Sequence, residues 1–308
     1  MKRVFAAAAL VVAACAPPSP ALRPLPPETT KPLIAHESGS FEGAHGTRLF
    51  EQSWHPSGKT RAVIVIHHGL KSHSEHYADF ARRAASIGYA VYAYDMRGHG
   101  RSEGPRATLD DFEDLTSDLA TFMGRVKMRE PAAPVFLMGH SVGGAVVTLY
   151  TEERKPKLAG LIVLAAAIRV DSPPIVAAAA PLSALLTPNF PALDVPNSAF
   201  SRDSAVVADM DKDPLIYQPP GPARSIGGLV AAIEKIWAHA DEIDVPILGL
   251  HGTADKATDP RGTIDLVNGV HSSDKKLLLY KGLYHDMFHE PEHEQVLGDV
   301  FAWLKART

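Results

Sequence analysis

The sequence predicts an α/β fold, a mostly parallel central sheet flanked by helices, from three observations. Short apolar runs rich in Val, Ile and Leu recur along the chain. Segments with helical spacing fall between them, and one run leads through Gly139-His140-Ser141-Val142-Gly143 into such a segment. Near-continuous apolar runs suit strands buried on both faces, and their alternation with helices is the pattern of a parallel sheet.

In chain order the first strand covers 62–66, an unbroken Ala-Val-Ile-Val-Ile run, and a helix over 77–87 follows it. A strand over 90–94, a helix over 109–126, a strand over 135–138, a helix over 142–153 and a strand over 161–164 come next. The pattern resumes with strands over 247–250 and 276–280 and closes on a helix over 292–304. The gap from 168 to 240 holds ten prolines and short Ala- and Leu-rich pieces, which argues against a simple crossover helix. It reads as an insertion on the C-terminal side of the sheet, a cap over a site, with 34–167 and 241–308 forming the core.

Composition limits what the chain can be. Its 308 residues, 45% hydrophobic and 21% charged, supply one large core and exclude a disordered or fibrous protein. A net charge of −4 with no long basic run disfavours nucleic acid as a partner. The single cysteine, Cys15, rules out an internal disulfide and a cysteine-rich zinc site.

Residues 1–14 carry Lys2 and Arg3 ahead of an apolar stretch too short for a lasting transmembrane helix. Val12-Ala13-Ala14-Cys15 resembles the lipobox of bacterial lipoproteins. That resemblance implies a signal peptide over 1–14, cut before Cys15, and lipidation of Cys15. Seven of the eighteen residues from 16 to 33 are proline, so 15–33 is expected to be an extended tether of about 50 Å. The expected location is the bacterial cell envelope, lipid-anchored, at the outer membrane if the host has one. Any hold on the membrane would come from acyl chains, because the acidic domain gains nothing from anionic lipid.

The chemistry centres on Ser141. A serine between two glycines on a sharp strand-to-helix turn stands exposed above the sheet, and the helix behind it points free N–H groups at developing negative charge. A serine hydroxyl needs a base, and the base needs an acid to orient it. Asp255, closing Leu250-His251-Gly252-Thr253-Ala254-Asp255, and His285, closing Lys281-Gly282-Leu283-Tyr284-His285, follow the serine in the order this fold expects. Asp259 and His289 are their rivals. Asp259 before Pro260 is explained by capping a helix, and His289 near the last helix reads as surface.

His68-Gly69-Leu70 ends a strand beside the serine turn, so the Leu70 and Val142 N–H groups are the expected oxyanion hole. His67, His68, His73 and His76 invite a metal reading, but no Asp lies near them in a recognised ligand spacing and they are read as loop residues. Asp95 to Ser102 reads as a hydrogen-bonded turn without a catalytic role.

Together His68-Gly69, Asp95 to Ser102, Gly139 to Gly143, Asp213-Pro214-Leu215-Ile216, Gly252 to Asp255, Tyr284-His285 and His289-Glu290 resemble the monoacylglycerol lipase and lysophospholipase-like branch of the α/β-hydrolases, from about Phe41 onward. The resemblance implies an α/β-hydrolase fold and a serine hydrolase of esters with a single acyl chain, monoacylglycerol or lysophospholipid. An apolar cap would guide that chain to Ser141. It implies no cofactor and no metal. A general short-chain carboxylesterase, a peptidase or amidase of the same fold, and a non-catalytic surface scaffold are the alternatives.

Overall fold

The computed structural model describes residues 34–109, 111–169 and 186–308. The expected signal peptide, Cys15 and the tether lie outside the described residues, as does the first part of the expected cap. Eight strands form one sheet in the order β1-β2-β4-β3-β5-β6-β9-β10. They are β1 (Ala35–Glu42), β2 (Arg48–His55), β3 (Ala62–His67), β4 (Tyr89–Tyr94), β5 (Val135–His140), β6 (Gly160–Leu164), β9 (Ile247–Gly252) and β10 (Lys275–Tyr280). A separate short pair joins β7 (Pro191–Leu193) to β8 (Gly221–Pro222). From β4 through β10 all neighbours in the large sheet are parallel, while β1 and β2 are added antiparallel at one edge.

The apolar runs fall where sequence places them, within a residue or two. β3, β4, β5 and β6 are buried throughout, as two covered faces require. Two differences have physical causes. The β1–β2 hairpin escapes a search for continuous apolar runs, because AHESGSFE is polar and exposed and RLFEQSWH mixes charge with apolar residues. The run over 276–280 is no fully buried strand: β10 is the other edge, and Leu279 is 45% exposed.

Helices α1 (Ala78–Ser86) and α7 (His293–Lys305) cover one face, and α2 (Phe112–Arg129), α3 (Val142–Arg154), α5 (Ala223–His239) and α6 (Pro260–Gly269) the other. The expected start of α2 at 109 moves to Phe112, because the Asp111 carboxylate caps the helix by accepting from the Glu113 and Asp114 N–H groups. Its buried face runs Phe112, Leu115, Leu119, Phe122, Val126, a helical stripe. Arg125 and Arg129 then reach back to Glu51 of β2, at 2.6 and 2.7 Å. α6 begins as expected, with Asp259 accepting from the Arg261 N–H and Pro260 in the first turn.

In the described part of the expected cap, α4 (Ser204–Lys212) and the β7–β8 pair precede α5. The stretch is no simple crossover helix, but its C-terminal end holds a helix that packs with the core. α5 is a regular 17-residue helix whose Ala232 and Ile236 belong to the main core, packed on α3. It carries the chain back to the start of β9, the return a parallel strand pair demands. Among the described residues no helix is long and apolar enough to cross a membrane.

Candidate active site

Ser141 sits between the end of β5 and the first turn of α3 with φ 58° and ψ −123°. Such a backbone costs a non-glycine residue about 1–3 kcal/mol and persists only where its surroundings hold it. Here the Ser141 N–H donates to the Leu164 carbonyl at 2.9 Å, and the Ser141 carbonyl accepts from the Gly144 and Ala167 N–H groups, each at 2.9 Å. The flanking glycines make the turn possible. A Cβ on Gly139 would stand 2.3 Å from the Gly143 oxygen, and one on Gly143 2.2 Å from the His67 oxygen. The turn after β3 presses equally close, with the Gly69 Cα position so near that a Cβ would come 2.6 Å from Ser141 Cβ. The segments carrying Leu70 and Val142 are therefore neighbours, and Val142 opens α3, where N–H groups have no helical acceptor.

Asp255 and His285 meet beyond the ends of β9 and β10. His285 Nδ1–H donates to Asp255 Oδ2 at 2.8 Å, and neither side chain has exposed surface. His251 Nε2 lies 3.1 Å from the same oxygen and Thr258 Oγ1 3.0 Å. The other carboxylate oxygen accepts from the Ala257 and Thr258 N–H groups at 2.7 and 2.9 Å. Burial pushes the Asp255 carboxyl up, but the His285 and His251 rings and the Thr258 N–H outweigh it and hold the group well below the usual carboxylate range. His285 Nε2, by contrast, is buried and has no partner among the described residues.

His285 is brought to the serine turn by His140, the residue before Ser141. The two rings lie 4.7 Å apart and His140 Nε2 is 3.2 Å from the His285 carbonyl oxygen. Tyr77 Oη holds the other His140 nitrogen at 3.0 Å. Burial and the His285 neighbour push the His140 imidazole down to about 4, so it is neutral near pH 7. From the insertion, Phe200 sets its ring edge-on to His285 at 5.2 Å.

The rivals are occupied elsewhere. Asp259 caps α6 and pairs with Arg261 and Arg169. His289 is not the plain surface residue expected: it is only a third exposed and pairs with Asp286 at 2.9 Å. The Asp286 charge raises the His289 imidazole against the opposing effect of burial. Asp95 accepts from the Ser74 and Arg101 N–H groups, the turn-holding role expected of it.

Of the four histidines at and beyond the end of β3, His68 donates from Nδ1 to the Gly69 carbonyl at 2.8 Å and accepts the Met96 N–H at Nε2, also at 2.8 Å. His67 is buried against the His68 carbonyl. The expectation that no Asp lies near His73 and His76 is overturned in space. Asp213, from the loop after α4, places Oδ2 2.9 Å from His73 Nε2 and 3.4 Å from His76 Nε2.

Sequence reading missed His251, Thr258, His140 and Phe200. A histidine inside an otherwise apolar buried strand was the available signal for His251. Thr258 and Phe200 carry none, since only the fold brings them to the imidazole.

Fold and site geometry together define a serine hydrolase of the α/β-hydrolase class, and comparison with known proteins agrees. The family described as serine aminopeptidase, S33 matches residues 58–292. A monoacylglycerol lipase of Mycolicibacterium smegmatis is 34% identical over 86% of this chain and 95% of its own length. The monoglyceride lipase of Homo sapiens is 31% identical over 92% of this chain and 97% of its own. The crystal structure of Paleococcus ferrophilus monoacylglycerol lipase superposes with a TM-score of 0.74 at 28% identity, covering 84% of this chain and 99% of that one. This chain belongs to the serine aminopeptidase, S33 family, and it is an enzyme, a serine hydrolase of carboxylic esters.

Proposed function

We propose that the chain hydrolyses esters of a single acyl chain, monoacylglycerol first and lysophospholipid second, with Ser141, His285 and Asp255 as its catalytic residues. The observation that carries the reading is the Asp255-bound His285, whose second ring nitrogen is unpartnered among the described residues, with its ring packed against that of the residue before a positive-φ serine. His285 Nε2 takes the Ser141 Oγ proton as Oγ bonds to the ester carbonyl carbon, and the oxyanion is held by the Leu70 and Val142 N–H groups. Collapse breaks the C–O bond to the leaving alcohol, which receives the proton from His285. Water then attacks the acyl-enzyme, giving its proton to His285, and the fatty acid leaves with Ser141 restored. Asp255 keeps Nδ1 protonated throughout and stabilises the imidazolium.

The similarity to two named monoacylglycerol lipases over most of their length supports this substrate class. In the proposed division, 34–167 and 241–308 form the hydrolase core together with α5, and the part of 168–240 that precedes α5 is the cap that guides the acyl chain. Residues 1–14 are a signal peptide, and a lipidated Cys15 with the 15–33 tether holds the enzyme to the cell envelope.

The test is fatty-acid release from monoacylglycerol, lysophospholipid and short p-nitrophenyl esters in parallel, with Ser141→Ala as control. Preference for monoacylglycerol with a dead Ser141→Ala supports the reading. Cleavage of short esters alone makes the enzyme a general carboxylesterase. An ester compared with its matched amide decides the peptidase alternative that the family description raises. For the anchor, Cys15→Ser should move the protein out of the membrane fraction; if it stays, the lipidation reading fails.

A further inference from the structure

We propose that His73, His76 and Asp213 form a divalent-cation site, suited to zinc, that fastens the inserted segment to the core. The residues come from two places. His73 caps and His76 lies within a one-turn 3-10 helix, Ser74–Tyr77, after β3, and Asp213 follows α4 of the insertion. In a 3-10 turn, side chains three residues apart eclipse one another. The two imidazoles accordingly lie side by side, tilted 43° with centroids 4.0 Å apart, and both aim Nε2 at a single oxygen, Asp213 Oδ2.

The spacing suits a metal. One donor atom from each residue fits within a 4.8 Å span. A tetrahedral zinc with bonds of about 2.0 Å sets its ligand atoms about 3.3 Å apart, and the two N···O separations here, 2.9 and 3.4 Å, bracket that edge. Outer partners are in place for two of the three, while His73 Nδ1 is buried without one among the described residues. Ser72 Oγ lies 3.1 Å from His76 Nδ1 and fixes that ring, while Asp213 Oδ1 accepts the Leu215 N–H at 2.8 Å and leaves Oδ2 to the imidazoles.

A cation can reach the place. His76 and Asp213 are each about one-fifth exposed and open onto a cavity of about 300 Å³ that Glu75, Asp209, Asp286 and His289 also line. A water on the fourth coordination position would face the Glu75, Asp209 and Asp286 carboxylates, whose field favours a cation. Imidazole and carboxylate without thiolate is a donor set zinc accepts.

Binding to the folded state alone stabilises it by mass action, and a tie across two segments should show as heat resistance. The full chain, stripped by a chelator, is titrated with zinc chloride alone, and bound metal is counted by mass spectrometry. The expected result is one saturable zinc per chain and a thermal midpoint raised by several degrees. His76→Ala and Asp213→Asn each abolish both, and His239→Ala, on the far end of α5, abolishes neither. Cobalt in place of zinc should give the intense visible bands of a four-coordinate ion, absent in His76→Ala. No saturable binding, a midpoint indifferent to zinc, an octahedral cobalt spectrum, or full stoichiometry in both variants would overturn the proposal. His76 and Asp213 carry the decision because both are partly exposed, so their replacement leaves the core packing intact.

Discussion

Asp255 has no exposed surface, and an unpaired carboxylate there would carry a heavy desolvation cost. Two imidazoles, one hydroxyl and two backbone N–H groups make it tolerable, and they also aim it. Under the proposed mechanism, Asp255→Asn puts an amide against His285 Nδ1, inverts the tautomer and lowers kcat by about 10⁴ with the fold retained. Turnover kinetics beside circular dichroism checks both halves. The Asp286–His289 pair next to the imidazole gives a pH prediction. The folded His289 value is raised above the ordinary 6.5, so its stabilisation is complete below that pH and fades as pH climbs through the folded value. The thermal midpoint of the wild type should therefore exceed that of His289→Gln most at pH 6 and converge toward it by pH 9; a constant gap would contradict the charge assignment.

At the scale of elements, the serine turn is the joint on which β3, β5 and α3 converge. Gly143→Ala drives a methyl to within 2.2 Å of a backbone oxygen, so the joint itself must open. An overpacking penalty of about 3 kcal/mol or more should appear as a lower urea midpoint, together with loss of labelling by a fluorophosphonate. What could be read from sequence divides along the same line. The placing of Ser141, Asp255 and His285 beyond the ends of β5, β9 and β10 was legible, because an apolar run leads toward each. The β1–β2 hairpin was not, since its burial depends on one face and on neighbours. Asp213 was hidden differently: 137 residues separate it from His76, and only the packing of the insertion reveals the pair.

Across the whole molecule, the insertion is tied to the loop bearing His285 through Glu290. That buried carboxylate accepts from Ser201 Oγ, from the Arg202 N–H and guanidinium, and from the Tyr284 N–H. Arg202→Ala removes the counter-charge and leaves three neutral donors. The cost should fall below the ~3–5 kcal/mol of breaking a buried ion pair outright, yet it should loosen both partners. A lower thermal midpoint accompanied by a drop in kcat is expected; a change in midpoint alone would mean that the Tyr284–His285 loop stands without the insertion.

The position of α5 bears on descent as well as on folding. β6 and β9 are adjacent and parallel, and among the described residues α5 is the helix that carries the chain back along α3 between them. The described stretch from 186 to the start of α5 is thus topologically optional. Lineages could lengthen, shorten or exchange that segment while the strand register, Leu164 opposite Leu250, stays untouched. Substrate preference in such a molecule can diverge quickly on an unchanging scaffold, and a chimera that borrows only this segment from a relative should inherit the donor's selectivity along with it.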